Sequence, residues 1–573
     1  THGSPVNRSG KQYKAVSYSV DPVTERLDYD SIMALAKEHR PKIIIGGYTS
    51  YPFAPDWAAL KRIAEEVGAY LMADIAHVAG LVIAGVYPSP VGIADVVSFT
   101  THKTLAGPRG AVIITHRADV ANKVDRSVFP GEQGGPHVNT IAALAVALRL
   151  AFSDQFQTLQ RRTVANATRL ALKFAEHGLR VPYGGTDTHM VLLDCKSIVG
   201  ADGTTLSGDM AARILDLAGI VCNRNTIPGD VAALRASGLR FGTPWITQRG
   251  FGEAEIDELA SIIADLLKAC VPFSYTGRKR EEPRAKVDFD TLEIAKRRVR
   301  DLTARIGIDT DAGGDEYPHI SYMADDAHGA TLLIRGIGNV TAARFLDAIL
   351  INDVSSMSVD EVQGTALYER DGTLMARGAV KRLDDGAVQL YVEAAGSRAA
   401  QWLRALSDGF VLFDPTDVYA KVPGPVDVQT IQAPPLPIAE TERYPVKYFI
   451  AAHALTDSSI GLPAFAWTET ALSSVKTTPL HALHLELGAK MAPFAGYDMP
   501  LWYGGVTQEH HAVRGRNGTS AAGIFDVTHM GVFDASGAGA AAFLDAVTTN
   551  DVSVSYTHLR AHETKANLVC RLL

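Results

Sequence analysis

Asp74 and Lys103 are the two residues from which chemistry is first legible. Asp74 closes the apolar run Ala69-Tyr70-Leu71-Met72-Ala73, and Lys103 stands just beyond Val96-Val97-Ser98-Phe99. A lysine amine can hold an aldehyde as an imine. A carboxylate beside a pyridine nitrogen keeps that ring protonated and able to absorb carbanion charge. The pair thus supplies two of the three things a pyridoxal-phosphate site needs; the third is a set of anchors for the phosphate and the substrate carboxylate. Alone, a strand-end aspartate is more often a cap or turn residue, and most lysines are solvated. Together, on neighbouring elements, they read as a site.

The elements that must position them alternate between strand and helix. Ile43-Ile44-Ile45 reads as a short buried strand closed by Gly46-Gly47. A helix follows, with Asp56 as its N-cap, because a carboxylate can accept a free backbone N–H. Trp57, Leu60, Ile63, Ala64 and Val67 share one face at helical spacing, and Gly68 ends it. The runs ending at Asp74 and before Lys103 are the next two strands. This β-α-β order predicts an α/β fold with a mostly parallel sheet and helices on both faces. In such sheets, polar groups beyond the carboxyl ends of strands carry the chemistry. Residues 151–276 are helix-rich with strands such as Met190-Val191-Leu192-Leu193, and predict a smaller α+β domain.

Bulk properties narrow the classes. The chain has 573 residues, enough for three or four domains. Its 47% apolar and 21% charged residues are ordinary for a globular protein, and its net charge of −8 argues against nucleic acid or an acidic membrane as partner. Cys195, Cys222, Cys270 and Cys570 form no CxxC pair, so neither a metal site nor a disulfide framework is expected, and a cytoplasmic location is. No apolar run reaches the length of a membrane span. The opening Thr1-His2-Gly3 has no methionine and no signal-peptide pattern, and reads as the middle of a longer protein.

The blocks around both residues resemble serine hydroxymethyltransferase. They are Ala73-Asp74-Ile75-Ala76-His77-Val78-Ala79-Gly80 and Thr100-Thr101-His102-Lys103-Thr104-Leu105-Ala106-Gly107-Pro108-Arg109-Gly110. Phe129-Pro130-Gly131-Glu132-Gln133-Gly134-Gly135-Pro136, Gly185-Thr186-Asp187-Thr188-His189, Asn223-Arg224-Asn225-Thr226-Ile227-Pro228 and Gly238-Leu239-Arg240-Phe241-Gly242-Thr243-Pro244 continue the likeness, in family order, over about 1–272.

The resemblance implies a pyridoxal-phosphate aminotransferase-like fold (fold type I), with pyridoxal 5'-phosphate as cofactor and tetrahydrofolate as co-substrate. Serine and glycine would be interconverted by a homodimer with shared sites. Lys103 would be the Schiff-base lysine, Asp74 the pyridine-nitrogen partner, and His77 the neighbour of the cofactor's 3-hydroxyl. His102 precedes the lysine as in the family, and Thr100 would handle a proton. Gly134 and Gly135 would reach the cofactor phosphate of the partner subunit. Arg240 would grip the substrate carboxylate, a task that suits a guanidinium fork. Asn225 would contact folate. Thr49 stands where the family commonly has serine beside the cofactor, and keeps the hydroxyl. The family's upstream part of the pocket is not in this sequence, so a catalytically incompetent chain is one expectation. A related lyase resembling threonine aldolase, without the folate step, is the alternative activity.

The second half contains a repeat. Phe345-Leu346-Asp347-Ala348 precedes Asn352-Asp353-Val354-Ser355, and Phe543-Leu544-Asp545-Ala546 precedes Asn550-Asp551-Val552-Ser553 at the same spacing. Two copies of one domain type are expected, at 287–430 and 477–553. Charge around 277–284 and prolines over 431–476 predict linkers. Gly488-Ala489-Lys490-Met491-Ala492-Pro493-Phe494-Ala495-Gly496-Tyr497 and Gly523-Ile524-Phe525-Asp526-Val527-Thr528-His529-Met530-Gly531 resemble the glycine-cleavage T-protein, a folate-dependent aminomethyltransferase. That pattern places Met530 against folate, the alternative being a core methionine. In the first copy, Asp371-Gly372 and Thr373-Leu374 lead to Met375-Ala376, where the family carries two acids. No aminomethyl transfer is expected, although a folate-binding or docking role is possible for such a module. Residues 554–573 continue no pattern and read as a foreign tail.

Overall fold

The computed structural model describes residues 3–4, 6–230, 235–276, 281–307, 321–324, 327–439, 450, 474–515, 523–530, 536 and 540. They divide into two compact units, residues 1–451 and 452–573.

The first sheet follows from the expected alternation. Helix α1 (Tyr29–His39) precedes strand β1 (Ile43–Gly46). Helix α2 (Trp57–Val67) starts where Asp56 accepts the Ala59 N–H and ends at Gly68. Its Trp57, Leu60, Ile63 and Ala64 are buried against Ile44, Leu71, Ala73 and Val97. Burying each large apolar side chain contributes roughly 1.5–3 kcal/mol. Strands β2 (Tyr70–Asp74) and β3 (Val96–Thr100) run parallel to β1 in the order β1-β2-β3, and β4 (Ala111–Ile114) joins β3 antiparallel. The antiparallel edge departs from an all-parallel sheet, because only the short loop 101–110 joins β3 to β4 and leaves no room for a crossover.

A buried carboxylate pins this sheet together. Asp95 is 2% exposed; it accepts hydrogen bonds from Lys61 of α2 at 2.9 and 3.0 Å, the Leu71 N–H of β2 at 2.8 Å and Arg117 beyond β4 at 3.1 Å. Burial alone would raise its carboxyl, but these bonds outweigh that and hold it below the ordinary aspartate value. Asp95→Asn is expected to lower stability by about 2–3 kcal/mol at neutral pH, less than a fully buried pair because both cations can turn toward water. The contribution exists above about pH 4 and disappears as pH falls through the depressed folded value. Thermal unfolding of the two proteins at pH 7 and pH 3 checks this; a difference that does not shrink in acid contradicts it.

Two helices, α3 (Val138–Ala151) and α4 (Asp154–Glu176), lead to a second, antiparallel sheet. Its order is β5-β7-β6, from β5 (Met190–Asp194), β6 (Asn223–Asn225) and β7 (Gly238–Gly242). Helices α5 (Gly208–Leu217) and α6 (Glu253–Lys268) pack with α4 around it.

The expected linker takes a different form. Residues 277–280 lie outside the described residues, but β9 (Glu281–Val287) pairs antiparallel with β8 (Cys270–Thr276). Ala285, Lys286 and Val287 are buried, and the Lys286 ammonium reaches the Ala420 carbonyl and lies 5.1 Å from the Phe413 ring centre. The core then continues without a break through α7 (Phe289–Arg305) into a third sheet of order β11-β12-β13-β10-β14. Its strands are β10 (Ala330–Gly336), β11 (Val362–Tyr368), β12 (Leu374–Arg382), β13 (Val388–Val392) and β14 (Val426–Ile431). Helix α8 (Ala342–Asp347) lies between β10 and β11, and α9 (Gly396–Asp408) between β13 and β14. Residues 432–439 after β14 carry no regular structure.

The repeated motif has a local reason. Phe345 and Leu346 are core residues, Asp347 accepts the Ser355 N–H at 3.1 Å, and the Asn352 amide donates to the Gly364 carbonyl at 2.9 Å. Asp353 caps the turn Val354–Ser356. The motif is thus a hydrogen-bonded corner after a short helix. Its second copy, Phe543 to Ser553, lies outside the described residues, as do residues 554–573.

In the second unit, β16 (Lys490–Phe494) and β17 (Tyr497–Trp502) form a hairpin, with β15 (Lys476–Thr477) parallel to β17. Buried His484 bridges the Tyr503 hydroxyl at 2.7 Å and the Asp526 carboxylate at 2.8 Å. Met530 is 38% exposed. Among the described residues, no helix is long and apolar enough to cross a membrane.

Candidate active site

The ends of β2 and β3 are tied to each other by side-chain hydroxyls. Asp74 stands opposite Ser98 in the sheet, and its Oδ1 accepts the Ala76 N–H at 3.0 Å, which turns the chain away from the strand. Thr100 Oγ1 donates to the Ala76 carbonyl at 3.1 Å, and Thr104 Oγ1 donates to the His77 carbonyl at 2.9 Å while accepting the Gly80 N–H at 3.0 Å. The two loops press so closely that a Cβ on Gly80 would lie 2.2 Å from the Thr104 carbonyl oxygen. Likewise Gly47, just past β1, has φ +132° and would place a Cβ 2.0 Å from the Asp74 carbonyl oxygen. Backbone packing, as well as the polar side chains, sets where Asp74 sits.

Lys103 is half-buried between these loops, and its amine makes no hydrogen bond among the described residues. Burial lowers its pKa below the ordinary lysine value; Asp74 opposes that effect and Arg240 adds to it. His77 is pushed down to about 4 by burial and by the Lys103 and Arg240 cations, with Asp74 again opposing. It is therefore a neutral imidazole at physiological pH. The Nδ1 of His102 is buried without a partner among the described residues.

Arg240 comes from β7 of the second sheet, yet its Nη1 donates to the Thr49 carbonyl at 2.6 Å. Its Nη2 donates to Asn223 Oδ1 at 3.3 Å, as the β6–β7 register places the two residues opposite each other. Both partners are neutral, and three of the five guanidinium N–H groups make no hydrogen bond among the described residues. The structure thus brings Asp74, His77, Lys103 and Arg240 within one another's electrostatic reach. Thr49 joins through its backbone; its exposed hydroxyl makes no hydrogen bond among the described residues.

Two sets of expected residues stand apart. Gly134 and Gly135 are exposed, and nothing in the chain lies within 4 Å of where a Cβ would be. Asn225 is on β6, two residues from Asn223 and so on the same strand face, with its amide donating to the Thr226 carbonyl at 2.6 Å.

Two further residues belong to the site. Asn223 holds the Arg240 fork, and His189 stacks on His77 with ring centres 5.9 Å apart and planes at 21°. His189 is buried and pushed down to about 3, by burial first and then by His77, Arg240 and Lys103. Both lie in blocks picked out in the sequence, but only the fold shows what they face.

The residues fit pyridoxal phosphate at two of its ends. A half-buried lysine amine with no hydrogen bond among the described residues suits the aldehyde, and a strand-end carboxylate with a neutral imidazole nearby suits the pyridine ring. The sequence model of the family described as serine hydroxymethyltransferase matches residues 1–263. A serine hydroxymethyltransferase of Synechococcus sp. (strain JA-3-3Ab) is 46% identical over 327 residues, which is 56% of this chain and 70% of that protein.

This chain belongs to the serine hydroxymethyltransferase family.

Every site residue named for the serine hydroxymethyltransferase part lies within the matched 263 residues. A second match, to the GCVT N-terminal domain, covers residues 480–563. It contains the T-protein-like blocks and runs past Ser553 into the stretch read as a foreign tail.

Proposed function

We propose that the first half of this chain catalyses the family reaction, the interconversion of serine and glycine with transfer of the one-carbon unit to tetrahydrofolate, on pyridoxal phosphate in a fold type I domain. The observation that carries this reading is the convergence of Lys103, Asp74 and Arg240 at the strand ends. When bound, the cofactor supplies a ring that takes up electron density from the bond being broken. Lys103 would hold its aldehyde carbon, since burial enlarges the fraction of amine that is unprotonated and nucleophilic. Asp74 would keep the pyridine nitrogen protonated, and neutral His77 would offer a ring nitrogen to the 3-hydroxyl. Arg240 would orient the amino-acid carboxylate. Thr100 already donates its proton to the Ala76 carbonyl, so its oxygen is placed to accept a hydrogen bond.

A second copy of the chain would bring Gly134 and Gly135 to the cofactor phosphate. Their exposure, together with the exposed apolar Val138, Ile141, Val146 and Leu150 of the neighbouring α3, supports a homodimer with shared sites. Asn225 would face the folate. A reducing cytoplasm suits the unpaired Cys195, Cys222 and Cys270. Glycine formation from serine should require both pyridoxal phosphate and tetrahydrofolate. Serine cleavage indifferent to folate, with threonine cleaved faster, overturns this reading in favour of an aldolase-like lyase.

For the second half we propose no aminomethyl transfer. The turn Asp371-Gly372 forms as expected between β11 and β12, with Asp371 accepting the Thr373 N–H at 2.9 Å. Where the T-protein pattern has acids, Ala376 is buried and Met375 packs on the core. Neither can steady a cationic or proton-accepting nitrogen. The full chain should show no aminomethyl transfer to tetrahydrofolate above background, and turnover above background refutes this. Folate binding by residues 287–430 has to be tested in the full chain too, because that segment shares its core with residues 151–276.

A further inference from the structure

We propose that His189 is a positioning residue for the cofactor side of the site: its ring backs His77 as an uncharged, water-excluding plate that fixes the plane and the protonation state of that imidazole. This rests on the reading that His77 faces the cofactor.

The geometry begins with how firmly His189 is held. It immediately precedes β5, and its carbonyl accepts the N–H of Thr243 at 3.0 Å, while the hydroxyl of that residue donates to the Thr163 carbonyl at 2.8 Å. The preceding residues are bolted to the loop after β1. The Thr186 hydroxyl and the Asp187 N–H both donate to the Pro52 carbonyl at 3.1 Å, and Asp187 Oδ1 accepts the Ala54 N–H at 3.1 Å. The Thr186 and Thr188 hydroxyls, 3.2 Å apart, are both buried. The backbone that carries the ring is thus held in place, and the ring lies 21° from parallel to His77.

The chemistry of the ring follows from its burial. His189 is 7% exposed, and its Nδ1 has no hydrogen-bond partner among the described residues. A buried N–H without an acceptor costs more than a buried lone pair, so the ring proton belongs on Nε2 and Nδ1 carries the lone pair. Protonating Nδ1 would create a buried unpaired donor and a third cation beside Lys103 and Arg240. The charged and titratable groups acting on the pair are Lys103, Arg240 and Asp74 on His77, and His77, Arg240 and Lys103 on His189. Burial first, and then these cations, keep His189 neutral, and its ring keeps water from the back of His77. His77 is then left neutral by its own burial and, next, by the same cations, whose effect solvent does not dilute.

The test uses the full-length chain, freed of cofactor and labelled with 13C in its histidine rings, with the His77 signal assigned by its loss in His77→Asn. The wild type and His189→Phe should keep His77 neutral to below about pH 5, because phenylalanine replaces the plate. His189→Asn, which admits water, should raise the His77 midpoint by about one unit toward the ordinary histidine value near 6.5. Its affinity for pyridoxal phosphate, followed by absorbance, should fall about tenfold, the factor equivalent to that unit. A folded His189→Asn protein whose midpoint moves by less than about 0.3 units, or a His189→Phe protein whose midpoint rises by about a unit, overturns the proposal. If His189→Asn does not fold, the phenylalanine variant alone decides, since an unchanged midpoint supports the plate and a raised one refutes it. A moved midpoint with unchanged cofactor affinity would leave the stack standing and refute the placement of His77 at the cofactor.

Discussion

Replacing Lys103 by alanine is expected to lower the rate of glycine formation from serine by about a thousandfold or more, the scale on which a group acting within one catalytic unit is missed. Protein stability should barely change. The amine makes no hydrogen bond among the described residues, and it is half-buried among groups that include the Arg240 cation. Lys103→Arg should be nearly as inactive, because a guanidinium keeps its proton at any pH the protein tolerates and cannot act as an amine nucleophile. Steady-state glycine formation, paired with the absorbance of cofactor retained after gel filtration, measures both effects. A Lys103→Ala protein within tenfold of wild type would remove the residue from the chemistry.

Arg240→Ala is expected to raise the KM for serine by roughly 10- to 100-fold, the equivalent of losing charge-assisted hydrogen bonds worth about 1.5–3 kcal/mol. Cofactor affinity should change far less than KM. The same substitution has a second consequence that a mere loss of packing would lack. Arg240 is one of the cations that lower Lys103 and His77, so both should titrate at higher pH without it. The pH profile of cofactor uptake by the cofactor-free protein, where Lys103 is a free amine, should therefore shift to the basic side. Arg240→Lys keeps the charge but not the fork, and should restore the profile better than it restores KM. An alanine variant with unchanged KM would place the substrate carboxylate elsewhere.

How much of this was legible in the sequence differs from residue to residue. Asp74 and Lys103 were legible because strand ends are written locally. The Asp56 cap, the buried face of Trp57 to Ala64 and the stop at Gly68 all act within one helix, and the apolar runs that follow leave little choice of register. His189 and Asn223 were not legible as site residues. What makes them so is a stack on His77 and a bond to Arg240, contacts between segments far apart in the chain. Residues 281–284, expected within a linker, are strand for another reason. A charged stretch with a proline looks solvated, yet the buried Lys286 has a carbonyl and an aromatic ring to meet it. Pro283 is tolerated because β9 belongs to a two-stranded ladder. The pattern of charges alone does not reveal that a lysine has found a carbonyl 134 residues away.

Gly47 carries this point to the level of the gene. It has no side chain and takes no part in the chemistry, but its Cα leaves room for nothing larger beside the Asp74 carbonyl, only 2.0 Å from where a Cβ would stand. Any nucleotide change that alters the encoded residue at this codon introduces that carbon. Selection on the position of Asp74 would therefore act also on the codon of Gly47, and a tally of polar residues would not register the constraint.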